Sequence, residues 1–173
     1  MNHDTSVRID EKLKQDRLSF YEEDIQKIDH LLVDFLRLSG SKCALLVDKE
    51  GHLVTKKGEV ESFDIDTISA LVAGSFGATK EMARLLGEQE FSALFHQGER
   101  GNIQLSLVGD RTLLTILFDD STTVGMVRLY AGETVKKLAK VLEGSSASSE
   151  EMDDSSLHPA YGELGKASLD RLF

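Results

Sequence analysis

The chain has a single cysteine among 173 residues, so no internal disulfide can form and the fold must rest on burial and hydrogen bonding. Positive charge is scarce. Twenty lysines and arginines stand against 30 aspartates and glutamates, a formal net charge of −10, so there is no overall cationic surface to neutralise phosphates and a nucleic-acid partner is not expected. Long apolar runs are missing as well: the longest fall far short of the roughly 20 residues a membrane span requires. Residues 1–17 are too polar for an export signal, which leads to the expectation of a cytoplasmic protein without membrane insertion.

Catalytic signatures are equally sparse. The sequence has no glycine-rich loop ending in Lys-Ser/Thr to cradle a nucleotide's phosphates, and no Gly-x-Ser-x-Gly elbow. Its histidines (His3, His30, His52, His96, His158) are scattered, with no pair at ligand spacing and no second cysteine to complete a zinc site. Neither a metal nor a cofactor is expected. Asp119-Asp120 could serve as acid and base, but the pair follows a strand-like run and precedes Ser-Thr-Thr, where carboxylates build turns and helix caps. The sequence therefore points away from an enzyme with its own active site.

What is present is enough for one domain: 40% of the residues are apolar. Residues 1–17 form a charged extension in which Asp4, Asp10, Glu11 and Asp16 balance Arg8, Lys12, Lys14 and Arg17. Residues 18–143 carry the folded pattern. Ser19 with Glu22 makes a capping box, and Ile25, Ile28, Leu32, Phe35 and Leu36 recur at helical spacing until Ser39-Gly40. The runs Cys43 to Val47 and His52 to Thr55 flank Asp48-Lys49-Glu50-Gly51, a hairpin turn, and Cys43 reads as a buried thiol. A helix between Asp64 and Gly87 follows, capped by Asp64 or Asp66. Three short strands come next, Phe91 to His96, Ile103 to Val108 and Leu113 to Phe118, and a last helix runs from about Val124 to Leu142. The order is αββαβββα. Residues 144–156, rich in serine and acid, read as a flexible linker, and residues 157–173 as a short interaction segment in which Leu169, Leu172 and Phe173 return near helical spacing.

The helix at 64–87 has an outer face unsuited to water. A wheel at about 100° per residue puts Ile65, Ile68, Leu71, Val72, Phe76, Thr79, Met82 and Leu86 on one broad, sheet-facing side. The other side carries Ala70, Ala73, Gly74 and Gly77 before Lys80, Glu81 and Arg84 appear. Two glycines inside a helix cost roughly 1 kcal/mol each relative to alanine, and their small size lets another backbone approach. A second copy of the same helix, and a second protein across the pair, are expected to pack there.

These residues resemble a known family. Asp66-Thr67-Ile68-Ser69-Ala70-Leu71-Val72-Ala73-Gly74, Ala83-Arg84-Leu85-Leu86-Gly87-Glu88 and Phe95-His96-Gln97-Gly98-Glu99-Arg100 are similar to the MglB family of bacterial roadblock/dynein-light-chain proteins. So are Leu45 to Gly51, Leu117-Phe118-Asp119-Asp120 and Gly125-Met126-Val127-Arg128-Leu129. The resemblance covers residues 20–143 and touches Leu169-Asp170-Arg171-Leu172-Phe173. It implies an α+β roadblock/profilin-like sandwich with a five-stranded antiparallel sheet. It also implies a homodimer that engages one Ras-like GTPase of the MglA type, two to one, and stimulates its GTP hydrolysis in cell polarity and motility. The activator is held to remodel the GTPase's own switch regions, without an arginine finger. By position, the resemblance assigns Ala73, Gly77, Glu81 and Arg84 to the GTPase-facing region. Glu81 departs from the small residue usual there, and neither Arg84 nor Arg100 is read as catalytic. Leu169, Leu172 and Phe173 resemble a C-terminal segment associated with nucleotide exchange. A dimeric scaffold without effect on hydrolysis is the competing reading, because fold alone does not separate the two. A profilin-like ligand sensor would need a polar-lined pocket, which the sequence does not locate.

Overall fold

A computed structural model describes residues 22–59 and 64–156, with side chains described through residue 145. The expected order αββαβββα is observed: α1 (22–39), β1 (Cys43–Asp48), β2 (Leu53–Gly58), α2 (Ile65–Leu85), β3 (Ala93–Gln97), β4 (Asn102–Val108), β5 (Thr112–Phe118) and α3 (Val124–Ser156). The five strands form one antiparallel sheet in the order β2-β1-β5-β4-β3. The long loop carrying α2 joins one edge of that sheet, β2, to the other, β3.

Alternation along β1 shows why the sheet is covered on both faces. Ala44 and Leu46 pack with Ile28, Leu32 and Phe35 of α1 and with Val127, Ala131 and Leu138 of α3. Cys43, Leu45 and Val47 pack instead with Ile65 of α2. A strand buried on both sides reads as a continuous apolar run, as Cys43 to Val47 does. Cys43 is 1% exposed, and burial pushes its thiol up to about 11.

Local chemistry fixes the ends. In the β1–β2 turn, Asp48 Oδ1 accepts the N–H groups of Glu50 and His52 at 2.9 and 2.8 Å, while Gly51 takes φ +98°. A Cβ on Gly51 would lie 3.0 Å from the Ala70 Cα, so glycine also permits close contact with α2. Asp64 caps α2 through Thr67, accepting its N–H at 3.1 Å and its hydroxyl at 2.7 Å. The helix closes in a Schellman arrangement, Glu88 N–H to the Ala83 carbonyl and Gly87 N–H to the Arg84 carbonyl. Thr123 caps α3, and Asp119 holds the preceding turn through the Ser121 N–H, so the turn-building role of that carboxylate is observed.

Two expectations need correction. The inner face of α2 is rotated from the expected one: Ser69, Ala73 and Ala83 face inward beside Ile65, Val72, Phe76 and Thr79, whereas Leu71, Met82 and Leu86 are exposed. Ser69, Ala73 and Ala83 are small enough to be buried between the larger Ile65, Val72 and Phe76, whereas Leu71, Met82 and Leu86 stand on the far side of the helix. The helix α3 also continues past Leu142 through residues 144–156, where a flexible linker was expected. No proline interrupts it, and serine and acidic residues weaken a helix by only a few tenths of a kcal/mol each. Ser145, inside this stretch, donates its hydroxyl to the Asp24 carboxylate of α1.

Candidate functional site

The outer surface of α2 divides into two flanks. Ala70 abuts the β1–β2 turn at Gly51, and Leu71 lies about 100° further round the helix, away from that turn. On the Leu71 flank stand Met82 and Leu86, with exposures of 67%, 53% and 74% for the three side chains in chain order. The sheet edge on the side away from β2 is β3, whose outer backbone groups have no strand beside them among the described residues. The domain thus carries both an apolar helix flank and a strand edge left open among the described residues.

The second flank is small and polar. Gly74 and Gly77 are exposed, and a Cβ at either position would meet nothing within 4 Å among the described residues. Glu81 and Arg84 follow one turn on. The Arg84 Nε lies 3.0 and 3.1 Å from the two Glu81 carboxylate oxygens, and Nη2 bonds the same carboxylate. That hydrogen bonding holds the Glu81 carboxyl below its usual range and raises the guanidinium. Of the four sequence-assigned residues, Gly77, Glu81 and Arg84 share this exposed surface, while Ala73 is 8% exposed and points toward the sheet. Its placement on the outer face is thus corrected. Leu169, Leu172 and Phe173 lie outside the described residues.

The fold also gathers groups that sequence spacing did not single out. Ligand atoms of Asp48, Glu50 and His52 lie within 4.8 Å of one another at the β1–β2 turn. Asp48 is committed there to the turn: Oδ1 accepts two backbone N–H groups and Oδ2 faces His52 Nδ1 at 3.1 Å. Burial pushes the Asp48 carboxyl up, but the hydrogen bonds from His52 and Glu50 outweigh it and leave it below its usual range. On the other sheet face, Asp29 of α1 accepts from Thr55 Oγ1 at 2.6 Å and from Lys57 Nζ at 2.7 Å, tying α1 to β2.

The roadblock/LC7 domain model matches residues 27–118, from within α1 to the end of β5. The chain belongs to the roadblock/LC7 family. Among solved structures it is similar to Myxococcus xanthus MglB, at 32% identity over 68% of this chain and 96% of that one, with a TM-score of 0.66. It is also similar to the gliding protein MglB of Thermus thermophilus, at 33% identity over 72% and 92% of the two chains and a TM-score of 0.65. A third structure, described as MglB with a tetrameric arrangement, is 32% identical over 73% and 92%, with a TM-score of 0.66. No curated protein matches the chain. The roadblock domain is thus MglB-like, and the resemblance first carried by the motifs of α2 extends across the whole sheet. Among the described residues no helix is long and apolar enough to cross a membrane.

Proposed function

We propose that this MglB-like chain acts as a homodimer that binds one Ras-like GTPase of the MglA type and stimulates its GTP hydrolysis. The observation that carries the reading is the division of α2 into an apolar flank of exposed Leu71, Met82 and Leu86 and a small-residue flank at Gly74 and Gly77. In this reading Leu71, Met82 and Leu86 meet the same residues of a second copy across a two-fold axis, an isologous contact that also gives β3 a neighbour. The flank of Gly77, Glu81 and Arg84 then lies on both sides of the paired helices, and its bareness lets a GTPase backbone approach.

Stimulation works on the GTPase's own switch regions. An arginine finger supplies a free guanidinium to the transition state. Arg84 is bonded to Glu81 through two of its nitrogens, which favours a docking role over a finger. The same pairing accommodates Glu81 at a position where a small residue is usual, because its carboxylate is folded onto the neighbouring turn. Leu169, Leu172 and Phe173 supply an accessory contact that promotes nucleotide exchange. The test is single-turnover GTP hydrolysis by an MglA-type GTPase with the full chain and with Gly77→Arg. Acceleration by the first and not by the second supports the reading. Binding without acceleration identifies a scaffold instead.

A further inference from the structure

On the sheet face covered by α3, a cavity of about 340 Å³ opens between β3, β4 and that helix. Phe95, Gln104 and Ser106 line its sheet side, and Arg128, Gly132 and Val135 its helix side. Three of these residues have capacity that the fold does not use. The Arg128 guanidinium stands 5.8 Å from the centroid of the Phe95 ring and has no ion pair among the described residues. Gln104 is 3% exposed; its Nε2 donates to Ser106 Oγ at 3.4 Å, while Oε1 has no partner among the described residues. Turning the amide over exchanges its ends without supplying the missing bond. Gly132 lies inside α3, where glycine weakens a helix relative to alanine, yet a Cβ there would meet no atom of the described residues within 4 Å.

Each feature favours a different part of one kind of ligand. A guanidinium stacked on an aromatic ring is weakly hydrated and offers paired donors that match a carboxylate or phosphate. The ring, Val135 and the bare Gly132 backbone provide a shallow apolar wall, and the short-handed amide gives a polar end. The volume lies at the lower limit of small-molecule sites, which fits a single-ring compound.

We propose that this cavity binds a small organic oxyanion, its charged group on Arg128 and its flat apolar body against Phe95, Gly132 and Val135, with a polar atom meeting Gln104. The cavity is on the opposite sheet face from α2, so this site and the GTPase surface are tested separately. Benzoate, phenyl phosphate and the neutral benzyl alcohol are titrated into the full isotope-labelled chain and followed by NMR. The expected result is saturable shifting of the Gln104 side-chain amide and the Phe95 and Gly132 backbone amides by an anion, with benzyl alcohol without effect. The stronger of the two anions distinguishes a carboxylate from a phosphate ligand. Arg128→Gln is expected to weaken binding roughly tenfold or more, and Gly132→Leu to block it by filling the space. Thermal unfolding verifies that both variants fold. Absence of saturation with both anions, an equal response to benzyl alcohol, or binding untouched by Arg128→Gln overturns the proposal. A change in sedimenting mass with Gly132→Leu also overturns it, because the cavity then belongs to a contact between copies.

Discussion

Replacing Leu71 by serine separates dimerisation from folding. The side chain is 67% exposed in the single chain, so the domain itself loses little when it is cut back. Fully burying a leucine contributes about 1.5–3 kcal/mol, and burying the exposed two-thirds therefore about 1–2 kcal/mol. A two-fold contact counts the residue twice, so Leu71→Ser is expected to weaken the dimer by about 2–4 kcal/mol, roughly 30- to 1000-fold in dissociation constant. Met82, at 53% exposure, follows the same arithmetic at a slightly smaller scale. Sedimentation across a concentration series reads the dissociation constant, and thermal unfolding of the dilute variant reads the domain. An unchanged dimer refutes the placement of this flank in the interface. A variant that remains dimeric but unfolds at lower temperature shows that Leu71 serves the domain and not the contact.

Three further outcomes follow from the geometry. Gly77→Arg puts bulk and charge on the bare flank and is expected to cut GTPase affinity about tenfold or more. Because none of the described residues lies within 4 Å of its Cβ direction, melting temperature and dimer mass are expected to stay the same; unchanged affinity contradicts the contact. Burial pushes the Asp29 carboxyl up, but hydrogen bonds from Lys57 and Thr55 together hold it below its usual range. Its stabilising contribution is therefore complete above the unfolded value near pH 4 and is lost as pH falls through the lower folded value. Relative to Asp29→Asn, the wild type is expected to be more stable by ~1 kcal/mol at pH 7, the gap closing in acid. A gap that persists below pH 3 refutes the assignment. With its thiol pushed up to about 11, Cys43 is expected to resist an aromatic disulfide reagent at pH 8 and to react fully only in denaturant. Rapid native labelling contradicts its burial.

Element order was legible because most segments are governed by one dominant signal. Cys43 to Val47 must be covered on both faces, Asp64 and Thr67 announce a helix start, and Gly51 and Gly87 adopt the positive φ their turns need. The phase of α2 was not legible. Its residues offer two apolar arcs, one through Ile65, Val72 and Phe76 and another through Leu71, Met82 and Leu86, and hydrophobicity alone does not choose between them. The folded domain buries the first arc together with Ser69, Ala73 and Ala83, residues a hydrophobic wheel does not weigh. Ile103 to Val108 hid a comparable ambiguity, since its alternation suggests a half-exposed strand with Gln104 and Ser106 in water. The α3 helix covers them, leaving both under 7% exposed and the cavity above them. The links from Asp29 to Thr55 and Lys57 join residues 26 and 28 positions apart and have no local signature.

The central claim is that this chain, as a dimer, accelerates hydrolysis on a Ras-like GTPase without contributing a catalytic arginine. The decisive measurement is single-turnover GTP hydrolysis by an MglA-type GTPase, alone, with the wild-type chain, and with Arg84→Ala at saturating concentration. Strong acceleration that survives Arg84→Ala is the predicted result. No acceleration by a chain that demonstrably binds the GTPase, or acceleration abolished by Arg84→Ala although binding is saturated, contradicts the account.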